Sequence, residues 1–129
     1  IAFQKGLGAI HSLSHPIGAI YNTHHGLTNA VFMPYVLIRN REAIENKIIN
    51  ISRYLNLQKP SFNSFLDWIL ELRKHLLIPH NLKELINDDS NFEKMSDMAF
   101  NDPSTATNPI ALNKNDFLKL YQDSFDGRI

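Results

Sequence analysis

An all-α domain is the fold class this sequence predicts, on three observations. Apolar residues recur at intervals of three and four along most of the chain. Residues that cap helices stand in front of several of those runs. No segment sustains the apolar–polar alternation of a half-buried strand, and no Asn-Gly or Asp-Gly pair sits between two apolar runs as a tight hairpin would require. Internal repeats and low-complexity tracts are absent.

The elements follow in order. His11 and His15 are four apart, a spacing that puts both on one face of a continuous helix. Pro16 argues against a regular helix there, because the residue before a proline is pushed out of the α region. His15 is therefore expected at a helix end or distortion, with Gly18 marking a break. His25-Gly26 opens a second apolar stretch, Leu27, Ala30, Val31, Pro34 and Tyr35, predicted as a helix kinked by Pro34. In 41–55, Ile44, Ile48, Ile51 and Leu55 mark one helix face. In 61–77, Phe62, Phe65, Leu66, Ile69, Leu72 and Leu76 do the same, with Ser61 as N-cap after Pro60. Trp68 is expected with Phe62 and Phe65 in the core. Asn81 and Glu84 predict a short helix over 82–86. Ser90-Asn-Phe-Glu93 has the form of a capping box, opening a helix with Phe92, Met95, Met98 and Ala99 inward. Asn113 caps the last helix, which turns Phe117, Leu120, Tyr121 and Phe125 to one side. The longest loop, 101–113, contains Asp102-Pro-Ser-Thr-Ala-Thr-Asn-Pro109, a composition suited to presenting polar groups at a site.

Length and composition narrow the function. The 129 residues fit one domain with a real core, here 1–38 as a signature segment and 39–129 as supporting helices. Lys+Arg and Asp+Glu are 13 each, so the chain lacks the electrostatic footprint of a nucleic-acid binder. It has no cysteine, which excludes disulfides, zinc–thiolate clusters and thiol nucleophiles, and fits a reducing, cytoplasmic location. No signal peptide is visible. The longest apolar stretch, 30–38, is interrupted by Pro34 and falls well short of the ~20 residues of a spanning helix. No membrane role is expected. The chain opens on Ile1 and is already apolar there, which suggests a cut inside a larger protein.

Charge and histidine are unevenly placed. Residues 1–38 hold a single formal charge, Lys5, yet include four of the six histidines: His11, His15, His24 and His25. A segment that avoids carboxylates but collects imidazoles is expected to be a buried reaction centre, enclosed partly by the C-terminal helices and partly by chain outside this sequence. A lone histidine on an apolar face is ordinarily a hydrogen-bonded core residue. Four within fifteen residues shift the balance toward a metal site, because imidazole is the commonest metal ligand. Spacing alone leaves both readings open. His75 and His80 fit no pattern and are expected in surface or capping roles. Gly6-Leu-Gly8 is too short to be a phosphate loop, and no glycine-rich turn follows a strand, so no dinucleotide site is visible.

The string G-x-x-H-x-x-x-H-P-x-G-x-x-Y-x-x-x-H-G-x-x-N-A-V-x-x-P-x-V, from Gly8 to Val36, resembles the signature of the iron-containing (group III) alcohol dehydrogenases. The likeness continues through Ile78-Pro79, Leu82-Lys-Glu-Leu85, Met98-Ala99, Asp102 to Pro109 and Asp116-Phe-Leu-Lys-Leu-Tyr121, in the order of that family's C-terminal helical domain. It covers nearly the whole chain. The resemblance implies the dehydroquinate synthase-like fold without its N-terminal nucleotide-binding domain.

It also implies NAD(P)-linked interconversion of an alcohol with an aldehyde or ketone at an Fe²⁺ centre, with Zn²⁺ as the alternative ion. By position, His11 and His25 match metal ligands of the signature. His15 matches a histidine beside nicotinamide and substrate that relays a proton, and Ser104 falls where the family's C-terminal loop approaches the substrate pocket. His24 departs from the family, where many members have proline; it is expected to face solvent or to bond His15. The family's remaining ligands, an aspartate and a histidine, lie upstream of the signature and are not in this sequence. The chain's partners would then be a small alcohol or aldehyde and the N-terminal domain of the same polypeptide, with homo-oligomerisation left open. Two imidazoles fall short of the three protein ligands a catalytic site generally needs, so the chain alone is expected to be inactive and to bind metal weakly unless His15 or His24 is recruited. The competing readings are a free-standing helical binding module and a non-catalytic paralogue with structural histidines.

Overall fold

Six α-helices and two 3₁₀ turns make up residues 7–129, the part of the chain that the computed structural model describes. Lys5 and Gly6 lie outside the described residues. The helices are α1 (Gly8–Tyr21), α2 (His25–Arg39), α3 (Arg41–Tyr54), α4 (Phe62–His75), α5 (Phe92–Phe100) and α6 (Lys114–Asp126). The 3₁₀ turns are Leu82–Glu84 and Pro103–Thr107, so the short helix expected over 82–86 is a single tight turn, and the long polar loop contains one as well. No helix among the described residues is long and apolar enough to cross a membrane.

α1 lies at the centre, packed on α2, α5 and the Pro103–Thr107 turn, while α6 closes over α5 and α2. α3 and α4 form a second pair, which joins the rest mainly through α2. Leu13, Ile17, Val31, Phe32, Phe117 and Tyr121 are wholly buried where α1, α2 and α6 meet. Tyr121 pins the junction: its hydroxyl donates to the Leu13 carbonyl at 2.7 Å, and its ring stands edge-on to Phe32.

The helix end expected at His15 does not occur. α1 runs through His15, Pro16 and Gly18 to Tyr21 and stops at Asn22, which takes the left-handed conformation (φ 55°) and donates its N–H to Gly18. An interior proline costs a helix about 3 kcal/mol through a lost hydrogen bond and a steric clash. Leu13, Pro16 and Ile17 are all buried, and the apolar area they remove from water offsets that cost. α2 likewise continues through buried Pro34 to Arg39.

Local capping signals are reproduced where no competitor stands nearby. Ser61 accepts from the Ser64 N–H, and Asn113 forms a complete capping box with Asp116. The Ser90–Glu93 box is not formed. Ser90 donates both its N–H and its hydroxyl to Asp88, and Asn91, without a side-chain cap, precedes α5. An aspartate two residues upstream captures the serine in a local turn before the helix can use it.

Some faces are rotated from their predicted settings. α3 buries Ile44, Ile48 and Ser52, while Leu55 is exposed; Ser52 satisfies its hydroxyl on the Ile48 and Ile49 carbonyls and so can be buried. α4 buries Phe62, Phe65, Ile69 and Arg73, leaving Trp68, Leu72 and Leu76 exposed. Arg73 takes the inward position because its guanidinium donates to the Pro79 and His80 carbonyls and so holds the chain reversal after α4. Met98 is also turned outward, whereas Phe92, Met95 and Ala99 are inside as predicted.

Candidate metal centre

His11 and His15 occupy successive turns of α1, and the continuity of that helix keeps them on one face. The short link after Asn22 folds α2 back against α1, so that His25, the first residue of α2, meets the same face. Ring centroids are 6.1 Å apart for His11 and His15, 5.7 Å for His11 and His25, and 5.5 Å for His15 and His25. One nitrogen from each ring lies within 4.8 Å of one from each of the others. Among the described residues, this is the one such cluster of candidate ligands.

The face is open. His11 is half-buried, and His15 and His25 are exposed, so the enclosure expected for residues 1–38 holds for Leu13, Pro16 and Ile17 but not for the imidazoles. Partial desolvation, followed by the neighbouring His15, His11 and His24 rings, holds His25 below the ordinary histidine range. That favours the neutral imidazole, the form with a lone pair to give a metal.

His24 stands apart from the cluster. It is the N-cap of α2, and its Nδ1 accepts the Leu27 N–H at 3.2 Å. Its predicted exposure is observed; its predicted bond to His15 is not. His80 places its ring 3.3 Å from the Gly127 carbonyl, where α6 ends, and His75 is exposed beside Glu71. Both keep the surface and capping roles expected of them.

The partner of His15 is Asp102. Its Oδ2 lies 2.6 Å from His15 Nδ1, while its Oδ1 accepts the Ser104 N–H at 2.8 Å as the cap of the Pro103–Thr107 turn. Burial raises the carboxyl, but the hydrogen bonds from His15 and Ser104 outweigh it and hold Asp102 below the usual carboxylate range. With Asp102 ionised, Nδ1 carries the proton, leaving the His15 lone pair on Nε2. Ser104 is thus tied to the cluster through its backbone N–H on Asp102.

Sequence reasoning missed Asp102 as a site residue. Its cap role has a local signal, an Asp followed by Pro at the first position of the turn. Its bond to a histidine 87 residues away has none.

Several contacts hold this loop against α1 and against the junction of α2 with α3. Asn108 and the fully buried Asn40 exchange amide hydrogen bonds of 2.8 and 3.0 Å, and Asn108 also donates to Ile110. Ser12 lies 2.7 Å from the Thr105 hydroxyl, which donates to the Ala99 carbonyl. The loop comes so close at Gly8 that a Cβ there would stand 1.9 Å from the Ser104 carbonyl oxygen and 2.1 Å from Thr107 Oγ1. A side chain is sterically forbidden at that point.

Comparison with known proteins places this arrangement in a family. The model of the Fe-containing alcohol dehydrogenase family, C-terminal, matches residues 1–125. The NADPH-dependent butanol dehydrogenase of Clostridium saccharobutylicum is 30% identical over 136 aligned positions, covering 98% of this chain and 35% of that protein. The lactaldehyde reductase of Escherichia coli K12 is 27% identical, over 93% of this chain and 33% of its own length. The crystal structure of a 1,3-propanediol oxidoreductase superposes with a TM-score of 0.85 at 26% identity, over 92% of this chain and 32% of that one. The chain thus spans about a third of the length of the relatives it matches. It belongs to the Fe-containing alcohol dehydrogenase family and has the all-helical fold of that family's C-terminal domain.

Proposed function

We propose that this chain is the helical part of an NAD(P)-dependent alcohol dehydrogenase, and that His11 and His25 are two of the ligands of its catalytic metal. The observation that supports this most is the convergence of these imidazoles, from helices joined by a short turn, on one open face. Neutral imidazoles suit Fe²⁺, with Zn²⁺ as the alternative. The names of the relatives, a butanol dehydrogenase and a lactaldehyde reductase, suggest small alcohols and aldehydes as the substrate class. The remaining ligands and the dinucleotide site would come from further chain upstream, in a cytoplasmic enzyme.

A bound divalent ion supplies Lewis acidity to a substrate oxygen, and the nicotinamide supplies the hydride chemistry. The residues here do the rest. His11 and His25 would hold that ion on the open face. His15, with Nδ1 held by Asp102, offers Nε2 to the proton an alcohol loses. The adjacent carboxylate stabilises the imidazolium so formed, and the exposed ring can return the proton to water. Ser104 orients Asp102 from the substrate side of the loop.

The test is reduction of three- and four-carbon aldehydes with NADH or NADPH in the presence of Fe²⁺, comparing the 129-residue chain with the longest polypeptide its gene encodes. The longer form is expected to turn over and the chain alone to be inactive. A start codon directly before Ile1, or a longer form that binds iron yet reduces no aldehyde, would contradict the proposal.

A further inference from the structure

Three candidates stand out beyond this reading: the cleft between α2 and α6 lined by paired Arg39, Asp116 and Asp123, the exposed Trp68–Leu72–Leu76 stripe of α4, and the third histidine of the cluster. In the cleft the charges neutralise one another, and nothing indicates what would cover the stripe. The third histidine has both neighbouring donors and a carboxylate partner.

We infer that the 129-residue chain forms a three-imidazole cation site by itself, with His15 as the third ligand beside His11 and His25, and with Asp102 holding His15 in the ligating tautomer. The inference rests on the proposed metal role of His11 and His25 and extends it to a residue assigned there to proton transfer. Both roles use one lone pair, so His15 serves as a ligand only while no other donor completes the centre.

The geometry favours His15 over every other donor. Its ring is as close to His25 as His11 is, 5.5 against 5.7 Å between centroids. A tetrahedral ion with bonds of about 2.05 Å sets nitrogens ~3.4 Å apart, and the three nitrogens start within 4.8 Å of one another. Side-chain rotation of the exposed His25 and the half-buried His11 toward His15, whose ring stays on Asp102, closes that gap. The carboxylate on the opposite ring nitrogen is the arrangement that orients metal-bound histidines and raises their basicity. His24, the other histidine near enough in sequence, already gives Nδ1 to the Leu27 amide and lies outside the cluster. Three imidazoles with a fourth position open form a complete donor set for Zn²⁺.

The probe is Zn²⁺ alone, titrated into the chain by calorimetry and followed by long-range ¹⁵N spectra of the imidazoles. One Zn²⁺ per chain is expected, with the His11, His15 and His25 nitrogens shifting and those of His24, His75 and His80 unmoved. His15→Gln is expected to weaken binding at least tenfold and Asp102→Asn about tenfold, while His24→Gln stays within threefold of the parent. The spectra of the unsubstituted chain decide the matter even if a variant misfolds. Movement of His11 and His25 without His15 overturns this inference and leaves the proposed ligands standing. Absence of any Zn²⁺ binding also overturns it, and the metal role of His11 and His25 is then judged separately in the longer polypeptide.

Discussion

Replacing His15 by alanine in the longer polypeptide is expected to lower kcat by about 10²–10⁴, the usual contribution of a positioned general base. Metal content and KM for the aldehyde should change far less. The split distinguishes a proton-transfer residue from a ligand of the completed centre, since loss of a ligand takes the ion with it. Asp102→Asn should reproduce part of the kcat loss. An amide can still hold the ring through its oxygen, but it no longer fixes the protonated Nδ1 by charge or stabilises the imidazolium. Steady-state kinetics with metal analysis on both variants checks this. An unchanged kcat in His15→Ala would remove His15 from the chemistry.

The second large effect is structural. Gly8→Ala is expected to destabilise the domain by about 1–3 kcal/mol, because the added methyl meets a backbone carbonyl at 1.9 Å and the loop must move away. Gly18→Ala on the same helix is the matched control. Its Cβ would meet nothing within 4 Å, and better helix propensity should raise stability by up to about 1 kcal/mol. Thermal unfolding of the two variants should therefore shift in opposite directions. Because the displaced segment begins at Asp102, Gly8→Ala should also break the Asp102–His15 bond, visible as a change in the His15 ring resonances. Equal shifts in the two variants would mean that the close approach is not sustained in solution.

These outcomes depend on features that the sequence reveals unevenly. The helices after the first were legible because each has its own apolar period, and two of them begin at local signals, with Ser61 and Asn113 capping as their side-chain chemistry requires. Local rules failed where two of them competed. Asp88 intercepts Ser90, and the burial of Pro16 between Leu13 and Ile17 overrides the bias that proline imposes on His15. That second failure has a functional consequence, since only an unbroken α1 keeps His11 and His15 on one face. In α4 the inward turn of Arg73 displaced Leu72 and Leu76 to the surface, and apolar counting does not foresee a buried guanidinium that donates to two backbone carbonyls.

The site divides along the same line. His11, His15 and His25 were legible because all three fall in one short motif. Asp102 was not, because its meeting with His15 depends on the path of the whole chain between them. The Asn40–Asn108 amide pair, which holds that path in place, belongs to the same class of long-range contact.

In the proposed enzyme His11 and His25 grip the ion. The most direct measurement is the iron content and affinity of the longer polypeptide, alongside His11→Ala and His25→Ala. One ion per chain is predicted for the unsubstituted protein, with affinity at least about 100-fold weaker in each variant while helical content is unchanged. Full retention of iron by either variant would contradict the account.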